Sequence, residues 1–213
     1  MHEFEIAMAL VDPAAISHWS ALHYHGLTEQ IPRKVFVLTT TEVSVPRVRG
    51  AVRERDKRGF AVLETTYQFV QVKPERFFGI DKVWAGEAQV MMTDRERTLL
   101  DGLSAPQCCG DIAEVLHAYE VSAAHLDLDR IIRYALRLDQ AIAKRLGWVL
   151  EKQGVELARL QPLLRVPIKG YRKLDSTGAP KGPRNRRWMI QENLPGPLSR
   201  RDRRREVARD TRD

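Results

Sequence analysis

The residue types that could do chemistry are concentrated in the last quarter of the chain, where basic side chains surround a tryptophan. Residues 165–213 contain 15 Lys and Arg against 6 Asp and Glu, whereas residues 1–164 contain 20 against 22. Guanidinium and ammonium groups neutralise phosphates, and an indole ring can stack on a base. This part of the chain is therefore predicted to bind DNA or RNA. The predicted contact residues are Lys169, Arg172, Lys173, Lys181, Arg184, Arg186, Arg187 and Trp188.

Trp188 has two interpretations. Alternation along a strand would place Arg186, Trp188 and Ile190 on one face. In the first interpretation the indole stacks on nucleic acid between the arginines. In the second it packs on the helices with Ile190, and the arginines are solvated.

The other chemically capable side chains do not form a catalytic pattern. His18, His23 and His25 point in different directions on a helix and lack metal-ligand spacing. Glu96 and Asp101 are five residues apart and would lie on different helical faces, so they are not a pair of catalytic acids. No glycine-rich phosphate loop or serine nucleophile motif is present. The sequence gives no positive case for an enzyme, a metal site or a cofactor.

Composition favours a cytoplasmic protein with one domain and a tail. The chain has 213 residues, of which 43% are hydrophobic and 30% charged, and no apolar run is long enough to span a membrane. The N-terminus lacks the layout of a secretion signal. Cys108 and Cys109 are adjacent, so they cannot form a disulfide framework or a zinc site, which agrees with a reducing compartment.

The stretch from residue 12 to residue 40 is predicted to be a helix followed by a strand. Asp12 is a suitable N-cap, and Pro13 suits the first helical position because no amide hydrogen is needed there. Gly26 can adopt the left-handed conformation that ends a helix. Residues 35–38 form a short continuous apolar run, which is typical of a buried strand.

The rest of the first half is predicted to be mainly β-structure. Residues 41–59 are charged and contain proline and glycine, so they are expected to be a mobile connection or a long hairpin tip. Residues 60–72 are rich in strand-forming types, and residues 82–92 form a strand or hairpin with Gly86 at the turn. Residues 1–11 are compatible with an edge strand or a helical turn.

The second half is predicted to be helical up to residue 164. Thr93 and Glu96 have the spacing of a capping box, and four segments with helical periodicity follow. Asp127 is placed to cap the third of them, and a short helix is expected at residues 156–164.

The C-terminal part is predicted to be a basic hairpin and a tail. Residues 168–174 and 186–192 would be its two strands, which would bring the basic side chains together. Residues 195–213 have almost no apolar content and are expected to be disordered. Their arginines could attract nucleic acid or keep the tail soluble. The arginines concerned are Arg200, Arg201, Arg203, Arg204 and Arg205.

These elements predict an α+β fold in which a small mixed β-sheet packs against a helical bundle, with a C-terminal β-hairpin and a disordered basic tail. The folded domain is expected to cover residues 1–194. Within it, residues 1–92 would be mainly β with a leading helix, residues 93–164 helical and residues 165–194 the basic hairpin. The tail would be residues 195–213.

A series of motifs in this order resembles the AbiEi-family antitoxins. The first runs from Ile16 to Pro32, as ISHWSALHYHGLTEQIP, and is followed by Val35-Phe36-Val37. The others are VKPERFFG at residues 72–79, ERTLLD at 96–101, KRLGW at 144–148 and GYRKLD at 170–175. The similarity covers most of residues 10–192.

The resemblance implies an antitoxin and transcriptional regulator of a type IV, AbiEi/AbiEii toxin–antitoxin system for phage defence. Such a protein counteracts a nucleotidyltransferase-like toxin and contributes to repression of its own operon. In the family, DNA recognition belongs mainly to an N-terminal winged helix, for which there is no room before Asp12. The domain seen in this sequence corresponds to the part needed for antitoxicity.

The partners implied are operator DNA or RNA, whereas direct contact with the toxin stays open. The matching signature positions, most of them expected to be structural, are Trp19, Tyr24, Gly26, Glu29, Arg145, Gly147, Tyr171 and Arg172. The alternative function is a stand-alone protein-interaction module that does not bind nucleic acid.

Overall fold

The computed structural model describes residues 2–42, 52–53, 59–62 and 64–194. Within these ranges the fold is α+β, as predicted: a mixed sheet packs with a helical bundle, and a small second sheet follows. The elements of the first half are α1 (Glu3–Leu10), β1 (Ala14–Ile16), α2 (His18–Tyr24), β2 (Lys34–Thr39), β3 (Val52–Arg53), β4 (Gly59–Val62), β5 (Thr65–Gln71), β6 (Ile80–Ala85) and β7 (Ala88–Thr93). The elements of the second half are α3 (Arg95–Ser104), α4 (Ile112–Ser122), α5 (Leu128–Leu138), α6 (Gln140–Lys152), α7 (Gln161–Leu164), β8 (Arg172–Lys173), β9 (Arg184–Asn185) and β10 (Ile190–Gln191).

The large sheet has the strand order β3-β4-β5-β2-β1-β7-β6. Its centre is β2, which pairs parallel with β5 and antiparallel with β1. The predicted strands at residues 35–38 and 60–72 are confirmed, and so is the hairpin at residues 82–92 with Gly86 at its turn. Phe4 and Ala7 of α1 pack into the core of this sheet beside Val35 and Val37, so residues 1–11 contain a helix and not an edge strand.

The predicted helix start at Asp12 and Pro13 is wrong. Residues 14–16 form β1, and α2 begins at His18 with Ser17 as its N-cap. β1 is buried along its whole length between β2 and β7, so sheet pairing determines the conformation of a segment whose spacing alone suggested a helix. Gly26, with φ of +67°, follows α2 as predicted.

The capping box at Thr93 and Glu96 is also wrong, although the helix that it introduced is present. Thr93 is the last residue of β7, and Asp94 is the N-cap of α3, accepting a hydrogen bond from the Arg97 amide at 2.7 Å. Glu96 instead accepts from the amide of Asp127 at 3.0 Å and so connects α3 to the start of α5. Asp127 is the N-cap of α5, as predicted.

The C-terminal strands are paired differently from the prediction. β10 pairs parallel with β8 and antiparallel with β9, so the hairpin is formed by β9 and β10 and not by residues 168–174 with 186–192. Within the expected short helix at residues 156–164, only Gln161–Leu164 are α-helical. Most of residues 41–59, and the tail at residues 195–213, lie outside the described residues.

The helices share one apolar core, and Trp188 is part of it. Trp188 has no exposed surface, and its six-membered ring packs directly on the backbone of α6 at Gly147. A methyl group at position 147 would overlap the Trp188 ring carbons. The glycine is therefore required by this close approach and not by its backbone conformation, since it lies in the middle of a helix.

Gly147→Ala is expected to lower the free energy of unfolding by about 3 kcal/mol, because the indole must move out of a close-packed site. Urea unfolding followed by circular dichroism measures this change. In a Trp188→Leu background the same substitution should cost much less, since the ring that it meets has been removed. An equal cost in both backgrounds would contradict the assigned contact.

His18 is a buried polar residue with unusual geometry. It is 2% exposed, has φ of +49°, and its Nδ1 lies 2.8 Å from the hydroxyl of Ser17. Burial lowers the pKa of His18; Asp101 opposes this effect and Arg97 adds to it. The fold therefore holds His18 neutral, while the unfolded chain binds a proton below about pH 6.5.

Stability is accordingly expected to be highest above about pH 6.5 and to fall as the pH drops below that value, because only the unfolded state takes up the proton. His18→Asn, which tolerates positive φ and does not titrate, should reduce this dependence. The free energy of unfolding measured in urea at pH 7.5 and pH 5.5 tests both statements. A wild type and variant with the same loss on acidification would contradict them.

Candidate nucleic-acid interface

Five cations of the C-terminal segment form an exposed group, which we call the basic surface. It consists of Lys169, Arg172, Lys181, Arg184 and Arg186, all of which are exposed. Among the described residues, none of the five forms an ion pair with a carboxylate. Their charge is therefore available to an external partner.

The two acidic side chains of residues 165–194 are satisfied internally. Glu192 accepts hydrogen bonds from the indole of Trp148 at 2.7 Å and the amide of Asn185 at 3.2 Å. Asp175 accepts from both the amide and the hydroxyl of Thr177. Burial alone would raise the pKa of Asp175, but these hydrogen bonds, one from the Gly178 amide and the nearby Lys173 together lower it. Neither carboxylate neutralises the basic surface.

Three of the residues predicted to contact nucleic acid have other roles. Lys173 donates from Nζ to the carbonyl of Gly178 at 2.7 Å, and Arg187 pairs with Glu151. Trp188 donates from its indole to the same Glu151 and has no exposed surface. The interpretation of Trp188 as a stacking platform is therefore wrong, because the ring is inside the helical core.

An open cavity of about 550 Å³ lies where the basic surface meets the end of α6. Its lining includes Arg186, Arg187 and Lys152, together with Asn185 and Glu151. Lys152 is exposed and was missed in the sequence, because α6 is distant from residues 165–194 along the chain. Glu151 is already engaged by Arg187 and Trp188, so the cavity is cationic in character.

The basic surface is held on the helices by a buried arginine. Arg145 of α6 donates from Nε to the carbonyl of Lys173 at 2.9 Å and from its terminal nitrogen to the carbonyl of Leu103 at 3.0 Å. Tyr171 is half-buried, and the guanidinium of Arg184 lies 5.2 Å from its ring centroid. Arg145, Gly147 and Tyr171 thus have structural positions, as expected for signature residues.

The N-terminal signature residues lie on the other half of the fold. Trp19 is half-buried and lines an open cavity of about 790 Å³ with Arg33. The hydroxyl of Tyr24 donates to the carbonyl of Trp84 at 2.9 Å. Glu29 is exposed in the connection before β2. The structure does not bring these residues together with the basic surface.

The remaining candidates are separated from one another. Asp101 accepts from Nε of the buried Arg97 at 2.9 Å, while Glu96 faces Arg130. Neither cysteine is in a disulfide, and burial raises the pKa of the Cys109 thiol. The described part of the chain contains no group of three His, Cys, Asp or Glu placed to hold a metal ion. None of its helices combines the length and the apolar character needed to cross a membrane.

Comparison with known proteins gives the fold alone. No family model matches the sequence, and no curated protein matches it significantly. A similar solved structure is the crystal structure of RV2827C protein from Mycobacterium tuberculosis, with a TM-score of 0.53 and 13% sequence identity. The match covers 83% of this chain and 61% of that one, so this chain spans less than two thirds of its neighbour.

Proposed function

We propose that this chain is the antitoxin domain of an AbiEi-like toxin–antitoxin system and that its basic surface contacts nucleic acid. The single observation that carries the nucleic-acid part is the set of five exposed cations without acidic partners among the described residues. The antitoxin part rests on the ordered sequence motifs from Ile16 to Asp175. The compartment that fits this function is the cytoplasm.

The chemistry of the basic surface favours phosphate contacts. Guanidinium and ammonium groups displace the cations condensed on nucleic acid, which gives affinity without reading the bases. Because Trp188 is enclosed in the core, stacking by this ring does not contribute. Binding through this surface would therefore be tolerant of sequence, with DNA or RNA as ligand, and would support repression of the operon without choosing the operator.

Replacing Arg172, Arg184 and Arg186 by Gln should weaken binding to nucleic acid at least about tenfold and make the salt dependence shallower by roughly 0.9 log units per lost contact. Fluorescence anisotropy with labelled duplex and single-stranded DNA and RNA, at several salt concentrations, measures both effects. The melting temperature should change little, since all three side chains are exposed.

The matched control removes three exposed cations outside the basic surface, by Arg33→Gln, Lys73→Gln and Arg133→Gln. This control has the same net charge as the test variant. It should retain most of the affinity if binding is localised. Equal weakening in both variants would show a general charge effect and contradict the assigned interface.

A second candidate function is a protein-interaction module without nucleic-acid binding. It is favoured by two exposed apolar side chains, Ile31 at 79% and Trp84 at 62% exposure. Salt separates the candidates: phosphate contacts weaken steeply as salt is added, whereas apolar contacts do not.

For the antitoxin role, expression of this chain should restore growth to cells that produce the nucleotidyltransferase-like protein encoded beside its gene. Colony counts with and without induction measure the rescue, and the triple variant at Arg172, Arg184 and Arg186 tests whether rescue needs the basic surface. Absence of such a neighbouring reading frame, or failure of folded, well-expressed protein to rescue, would contradict the antitoxin assignment.

A further inference from the structure

β6 forms one edge of the large sheet, and among the described residues it pairs with β7 alone. Its hairpin turns at Gly86 and Glu87, so Ala85 and Ala88 are the hydrogen-bonded pair beside the turn. The alternation of antiparallel hydrogen bonding then directs the backbone groups of Lys82 and Trp84 away from β7. The hydrogen bond from the Tyr24 hydroxyl to the Trp84 carbonyl agrees with this direction.

The side chains along this edge are of the types found at interfaces. Trp84 is 62% exposed, and Tyr24 and Met91 beside it are 40% and 38% exposed. Met91 lies opposite Lys82 in the β6–β7 register and so shares a face with Trp84. Tryptophan, tyrosine and methionine are enriched in the centres of protein interfaces, where few residues carry most of the affinity.

We propose that β6 pairs antiparallel with β6 of a second copy of this chain across a two-fold axis. Such pairing extends the sheet through both molecules, satisfies the outward backbone groups of Lys82 and Trp84, and covers both copies of Trp84. The segment Ile80–Ala85 contains no proline or glycine that would interrupt the ladder.

Charge selects the register of this pairing. Centring the axis on Asp81 places two carboxylates opposite each other, and centring it on Lys82 does the same with two ammonium groups; both arrangements are repulsive. Centring it on Val83 places each Lys82 opposite Trp84 of the second copy. The ammonium group can then lie against the indole face, which is a favourable cation–π contact.

The register centred on Val83 also fits the backbone and the neighbouring side chains. It pairs the outward groups of Lys82 with those of Trp84, so the two residues exchange both hydrogen bonds. Tyr24 can stay at the rim, because the Trp84 carbonyl has a second lone pair. Centring the axis on Trp84 would leave only a short ladder, since Lys82 would face the turn residue Gly86.

Sedimentation velocity over a concentration series tests the assembly. The wild type should form a dimer, and Trp84→Ser should weaken dimerisation at least about tenfold. The matched control is Ile31→Ser, which removes another exposed apolar side chain in the connection before β2 and should leave the dimer unchanged. A wild type that stays monomeric up to about 1 mM, or a dimer unaffected by Trp84→Ser, would overturn the proposal.

Disulfide trapping tests the register. In a Cys108→Ser background, with the buried Cys109 retained, Val83→Cys should give a covalent dimer on mild oxidation, because residues facing each other at this type of pair have Cα atoms about 4.5 Å apart. Asp81→Cys and Lys82→Cys report the two rejected registers and should stay monomeric on a denaturing gel. Cross-linking at 81 or 82 but not at 83 would overturn the register, and no cross-linking at any of the three would overturn the pairing.

Discussion

The contact between Trp188 and Gly147 is the constraint on which the C-terminal part of the molecule depends. β8, β9 and β10 have only two residues each, so their ladder hydrogen bonds alone cannot hold them in place. Burying an indole of roughly 200 Å² contributes about 5 kcal/mol at 25 cal/mol per Å², which is comparable to the stability of a small domain. Arg145 adds two hydrogen bonds that fix the orientation of this sheet on α6.

A buried polar cluster connects the large sheet to the helices in a similar way. Arg97 of α3 is 1% exposed, and it donates to Asp101 and to the carbonyls of Arg76 and Phe78, which precede β6. Asp94, the N-cap of the same helix, accepts from the hydroxyl of Tyr134 at 2.9 Å. One helix start is thereby bonded to both halves of the fold. Since each buried charged group in it has a partner, loss of a single member would leave an unpaired polar group in the core.

The parts of the fold that could be predicted from the sequence are those specified by local patterns. Helical periodicity indicated α3 to α6, and Asp127 was correctly identified as the cap of α5. β1 was missed because its conformation comes from two neighbouring strands that are distant along the chain. The parallel pairing of β8 with β10 was missed for the same reason, since a hairpin is the default for two nearby strands.

The candidate site was predictable in composition but not in geometry. Counting charges located the basic segment, yet the sequence left Trp188 undecided between stacking and core because both uses suit an aromatic ring beside an apolar residue. Only the tertiary structure places that ring against Gly147 and removes Arg187 from the set by pairing it with Glu151. Lys152 belongs to α6, and no local pattern connects it to Asn185 and Arg186.

The parallel pairing of β8 with β10 has a consequence for how this protein can change. Parallel strands require a crossover, and Lys181, Arg184 and Arg186 all lie on the residues that make it, between Lys173 and Ile190. Their side chains are exposed, while the packing that secures this region comes from Trp188 and Ile190. The strength of attraction for a polyanion can therefore evolve by substitutions in the crossover without loss of core packing, and natural variation should be most freely accepted there.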